Sequence, residues 1–141
     1  MWIRQHQKTY QAVSDKAVWQ IWKDIDRYAD WHDDLDYCKL EGAFEVGNYF
    51  LLKPTRGPEV KVVLTEIETY RSFTDRTRFL GATMYDTHQL EPTEHGLRIS
   101  NAIRVTGPLA FLWIRLVANG VAAHAPKEMD AVVELARRVD E

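Results

Sequence analysis

Cysteine is almost missing from this chain. One residue, Cys38, among 141 excludes an internal disulfide and a cysteine-rich metal site, and a free buried thiol in a reducing compartment is the expected state. Charge of either sign is not in large excess. Eighteen Lys and Arg stand against 21 Asp and Glu, for a net charge of −3 and a pI near 6.0. That balance argues against a dedicated nucleic-acid binder and against electrostatic docking on anionic membranes. The apolar runs are too short and too interrupted to span a bilayer, so no integral membrane association is expected. The polar start MWIRQHQ is no signal peptide, and a cytoplasmic location is expected. There is no glycine-rich phosphate loop, no G-x-S-x-G, no HExxH and no paired-cysteine motif, so neither cofactor nor metal is expected. Without repeats, low-complexity tracts or a linker, one domain over residues 1–141 is the default.

Aromatic residues are plentiful: five Trp, six Tyr and five Phe. Two readings are open, a well-packed core or an aromatic-lined pocket. Hydrophobic content of 45% and charged content of 28% suit a globular protein with a real core.

Residues 2–13 alternate loosely and predict a first strand. Ser14-Asp15 offers an N-cap for a short helix, DKAVWQIW. Asp24 caps a second, DIDRYADWHDD. Six turn-punctuated strands follow: YCKLEGAF, NYFLLKP, EVKVVLTEIET, RSFTDRTRFL, MYDTHQLEP and LRISNAIRVTG. Strands joined by short turns form an antiparallel sheet.

The last third, Gly107 to Glu141, reads as one long helix opened by Gly107-Pro108. Its second half is amphipathic, its first half, LAFLWIRLVANGV, apolar almost all round. Pro126 predicts a kink. Only this helix is large enough to cover the sheet. The fold class is therefore α+β: a curved, seven-stranded antiparallel sheet wrapped around a long C-terminal helix, with two short helices after the first strand.

The segments VSDKAVWQIWKDIDRYADWHDDLDYCKLEG, AFEVGNYFLLKP, VLTEIETYRSFTDRT and MYDTHQLEPTEHGLRISNAIRVTGPL, followed by a proline-interrupted terminal helix, cover nearly the whole chain. In this order they resemble the polyketide cyclase/dehydrase and lipid-transport family of the START-like (SRPBCC) superfamily. The resemblance implies a helix-grip fold with a cavity between sheet and terminal helix. It does not imply one reaction.

Strand alternation chooses faces. With Leu90 pointing inward, Met84, Asp86 and His88 share its face. In the next strand Leu97, Ile99, Ile103 and Val105 take Asn101 inward with them. His88 and Asn101 thus stand among apolar neighbours on adjacent strands. They either satisfy each other, bind a polar group of an apolar ligand, or act in catalysis, with His88 as general acid or base and Asn101 steadying an oxygen. Phe50 and Leu52 are taken as inner residues on the family pattern, and Trp31 as a wall of the cavity mouth. Arg76 and Arg78 point outward, opposite Phe73 and Phe79. Phe111, Trp113, Ile114, Val117 and Val121 are expected to floor the pocket, although core packing alone explains them. His32, amid Asp30, Asp33, Asp34 and Asp36, reads as solvated acidic surface, and His124 as a partly exposed helical histidine. Leu112 and Leu116 are left exposed, which suggests a homodimer contact or a portal.

Binding of a hydrophobic small molecule (a lipid, polyketide or aromatic metabolite) is the first functional expectation. A cyclase or dehydratase using His88 for proton transfer is the alternative. An interaction module ranks third.

Overall fold

A computed structural model describes residues 2–139. The expected final residues of the terminal helix, 140 and 141, lie outside the described residues. Seven strands run β1 (Trp2–Tyr10), β2 (Leu35–Glu41), β3 (Tyr49–Pro54), β4 (Val60–Glu68), β5 (Ser72–Phe79), β6 (Ala82–Thr93) and β7 (Gly96–Thr106). They form one sheet in the order β1-β7-β6-β5-β4-β3-β2, with every neighbouring pair antiparallel. Short turns make each consecutive pair from β2 onward a hairpin, while β1 crosses over to close on β7.

The first helix, Asp15–Lys23, begins where Ser14 Oγ accepts the Ala17 amide at 3.1 Å. This satisfies one of the donors left over at a helix start. The second helical piece is a 3₁₀ helix, Ile25–Asp30, shorter and tighter than the expected helix. Its Tyr28 is buried, and the Tyr28 hydroxyl donates to the Trp22 carbonyl at 2.5 Å, tying the two segments together.

The terminal helix starts later than Gly107-Pro108 suggests. Gly107 takes a positive φ of 111°, and a Cβ there would stand 2.5 Å from the Gly81 carbonyl oxygen. The link out of β7 is thus pressed against the β5–β6 turn, and only glycine fits. Helical geometry begins at Ala110–Trp113, passes through a π segment at Ile114–Ala118, and continues as α-helix over Asn119–Val139. The departure from regular geometry therefore lies at the π segment, ahead of Pro126, which sits inside the α-helical stretch.

Apolar packing divides into two clusters. The larger unites the first helix, the 3₁₀ piece, the β2–β5 side of the sheet and the helix's second half. Met129, Val132, Val133 and Ala136 are all at least 95% buried there. At its centre Trp19 meets Trp22, Phe44, Tyr70 and Phe73 edge to face, with ring centroids 5.9–6.4 Å apart. Most of the aromatic wealth is therefore core. The smaller cluster joins Met84, Ile103 and Val105 to Ala118, with Trp113, Ile114, Val117 and Val121 half-buried around them. No described helix is long and apolar enough to cross a membrane.

Candidate functional site

The polar row expected from alternation is built by β-sheet register. His88 on β6 lies opposite Asn101 on β7, and Asp86 opposite Ile103. On the other side of β6, Asp86 faces Asp75 of β5. Asn101 Nδ2 donates to Asp86 Oδ1 at 2.6 Å and lies 3.5 Å from His88 Nδ1, while His88 Nε2 stands 3.3 Å from Asp86 Oδ1. The His88 ring stacks on Phe73 at 4.5 Å and tilts against Trp22 at 5.4 Å. A hydrogen-bonded trio on two rigid strands is held against an aromatic wall.

Above the trio lies a hollow between sheet and helix. Trp22, Tyr28, Trp31 and His32 form one side. Ala125, Glu128, Met129 and Val132 of the terminal helix form the second, and His88, Ile99 and Asn101 the third. The space in which a water centre fits is about 40 Å³, room for roughly three waters. A second, wider and open depression of about 490 Å³ lies at the start of the helix, bordered by Trp2, Val105, Ala110, Phe111 and Ile114. The wide depression is lined mainly by apolar side chains, whereas the polar His88 and Asn101 stand at the narrow hollow.

No lysine or arginine lines that hollow, and its acids respond accordingly. Burial pushes the Glu128 carboxyl up to about 9, with the Asp34, Asp86 and Asp33 charges adding to it. Burial likewise drives His32 down to about 4, against the opposing pull of the Tyr28 carbonyl, which accepts from His32 Nδ1 at 2.7 Å. With Nδ1 donating, neutral His32 offers its Nε2 lone pair toward Glu128 Oε2, 3.6 Å away. Asp75 is 8% exposed. Burial and then the neighbouring Asp86 charge hold its carboxyl well above the usual carboxylate range.

The sequence-derived candidates separate into four groups. Trp31, His88, Ile99 and Asn101 meet at the hollow, with Asp86 behind them. Met84, Ile103, Ile114, Val117 and Val121 pack on one another in the smaller cluster, with Trp113 stacked on Phe79 and donating its Nε1–H to the Leu80 carbonyl. Phe50 is buried in the main core, and Leu52 packs against it. Phe111, expected on the pocket floor, is 71% exposed, because the helix starts late and turns this side chain outward at the lip of the open depression. Leu112 and Leu116 are exposed, as expected. His32 is a correction: its side chain is only 10% exposed. It stacks on Tyr28 at 5.1 Å and packs 3.9 Å from Trp31, centroid to centroid. The acidic context hid a position facing the helix. His124 is half-exposed, with Nδ1 bonded to the Gly120 carbonyl. Asp75 was missed. Placing Phe73 and Phe79 inward puts Asp75 and Thr77 inward too, and both are buried.

A seven-stranded antiparallel sheet closed by a long C-terminal helix defines the helix-grip class, the fold of the START-like superfamily. Among solved structures, the di-domain ARO/CYC StfQ from the steffimycin biosynthetic pathway superposes with a TM-score of 0.80 at 10% identity, over 98% of this chain and 51% of that one. This chain thus spans about half of StfQ. Protein MLL2253 from Mesorhizobium loti matches with 0.75 at 14% identity, over 99% and 100% of the two chains. Norcoclaurine synthase from Thalictrum flavum, in complex with dopamine and hydroxybenzaldehyde, matches with 0.68 at 15% identity, over 95% and 85%. No family model matches the sequence, and no curated protein matches it. At these identities the likeness establishes the fold.

Proposed function

We propose that the protein binds a small, mainly apolar molecule between sheet and terminal helix, with the ligand's polar end at His88 and Asn101. The observation that carries this reading is the convergence of His88, Asn101 and Asp86 beneath a hollow walled by Trp22, Tyr28 and Trp31. A core needs no such trio, since buried polar groups cost free energy that apolar residues avoid. The hollow itself is too small for a drug-sized ligand, which needs about 300 Å³ or more. Extra room lies along β7. Asn101 at the hollow and Val105 at the open depression are four residues apart on one strand face, or about 13 Å. Ile103 of the smaller cluster stands between them on that strand face. The half-buried Val117, Val121 and Ile114 lie on the π segment and the turn after it. Their displacement joins the hollow to the depression in one elongated chamber. The StfQ and norcoclaurine synthase structures share the architecture and support this reading.

Native mass spectrometry of freshly purified protein, with thermal-shift screening of fatty acids, polycyclic phenols and aromatic ketones, tests it. A co-purifying small molecule, or a saturable rise in Tm lost on Val121→Trp, is expected. Ligand-free protein with no shift across the panel overturns it.

A second reading, proton transfer of the cyclase or dehydratase kind, is favoured by His88 lying between Asp86 and Asn101 at the face of the hollow. Given a substrate, His88→Gln is expected to lower turnover by about 10²–10⁴-fold with binding retained. Unchanged turnover removes His88 from the chemistry.

A further inference from the structure

We propose that Asp75, Asp86 and His88 form a site for one divalent transition-metal ion of the zinc, manganese or iron class. One ligand atom from each of the three lies within 4.8 Å of the other two. Metal–ligand bonds of about 2.0–2.2 Å set ligand atoms about 3.3–4.2 Å apart around a shared ion, so small side-chain rotations close the set. Asp75 and Asp86 are register partners on β5 and β6, and His88 is two residues along β6 on the same face. All three therefore stand on paired strands rather than on loops.

Asp75 points to the ion independently of the cluster's geometry. It is nine-tenths buried, and no hydrogen-bond donor among the described residues reaches its carboxyl. No lysine or arginine among them pairs with Asp75 or Asp86. A buried acid that no donor reaches is costly, and with Asp86 as its register partner a cation lets both groups ionise. A divalent ion supplies +2 against two carboxylates. Asn101, through its 2.6 Å bond to Asp86 Oδ1, serves as the outer partner that orients a metal-bound carboxylate. His88 borders the hollow, which leaves the fourth position open to water or to a ligand oxygen. An imidazole with two carboxylates suits first-row ions better than calcium or magnesium, which take six or more oxygens. This departs from the expectation of a metal-free protein and does not depend on the identity of the apolar ligand.

The test uses tag-free, chelator-treated protein titrated with CoCl₂ by visible absorption and with ZnCl₂ by calorimetry. Saturable 1:1 binding is expected, weakened by more than about 10-fold in Asp75→Asn, since even outer-partner losses cost that much. The apo D75N variant is expected to keep or raise its Tm, because the substitution removes a buried acid beside Asp86, and this separates lost binding from lost folding. His124→Ala controls for the surface group in which His124 lies 3.9 Å from both Asp33 and Asp34. Two results overturn the proposal: no saturable uptake of either ion, or uptake that survives D75N and is lost in H124A.

Discussion

The two halves of the terminal helix share one backbone and meet different fates. Residues 119–139 place Ala125, Met129, Val132, Val133 and Ala136 in buried positions against the first helix and the sheet. Residues 110–118 bury only Ala118, expose Phe111 and Leu116, and relax into π geometry. π segments are frequent at functional sites. A helix that is anchored at one end and loosely held at the other can open a chamber without unfolding the molecule. The anchored half carries most of the helix's buried apolar surface, and the other half is where the proposed chamber would open.

Met129→Ala breaks the anchor. It is expected to cost about 2–5 kcal/mol, read as a fall in urea midpoint with an unchanged slope.

Glu128→Gln gives the next largest effect and sharpens the comparison, because Glu128 belongs to the anchored half yet faces the hollow. Its folded value of about 9 exceeds the ordinary 4.5, so the folded state holds the proton more tightly. Stability tied to this group is full below pH 4.5 and is lost as pH rises toward 9. His32, lowered from 6.5 to about 4, has the opposite sign: its contribution is full above pH 6.5 and falls as pH drops toward 4. The Asp33, Asp34 and Asp86 charges also act on Glu128. Calorimetry should find E128Q close to the parent at pH 5 and more stable at pH 8.5, by about 1–3 kcal/mol once the 27% exposure of the side chain is allowed for. Equal stabilities at pH 8.5 would show Glu128 ionised in the folded state.

Leu116→Ala and Phe111→Ala lie at the small end. Each is expected to change stability by under about 0.5 kcal/mol. Amide exchange should divide the helix, fast over 110–118 and slow over 129–136. Uniform protection along the helix would end the distinction.

The fold was legible because its signals are local and mutually consistent. Ser14 sits where a cap is needed, the hairpin turns separate alternating runs, and one helix is left to cover the sheet. The two strands carrying His88 and Asn101 were legible for the same reason, since period-two alternation fixes a face. The other walls were not. Glu128 looks like an ordinary charged position on an amphipathic helix, and His32 one of several polar residues before β2. Their meeting at 3.6 Å across 96 positions is a tertiary fact with no local signature. Phe111 failed for a different reason: wheel positions assume regular α geometry, and the late start and π segment shift the register. Asp75 was within reach of strand alternation, since it shares the inward face of Phe73 and Phe79 and is buried there.

The pairing of β1 with β7 bears on how the chain is made. Trp2 pairs with Val105 and Tyr10 with Leu97, so the strand synthesised first waits for the strand synthesised last. At about 5–20 residues per second, roughly 100 residues of delay leave β1 without its partner for about 5–20 s. Its sequence suits that wait. Arg4, Gln5, Gln7 and Lys8 are all exposed, and charge on an unpaired strand blunts its recruitment by other chains. The latch that ends the wait joins the two extremities: Asp130 accepts from the Tyr10 hydroxyl at 2.5 Å and from Lys8 Nζ at 3.2 Å, and Arg137 donates to the Gln11 carbonyl. The molecule is thus a ring closed late, whose seam runs between the beginning of the chain and its terminal helix.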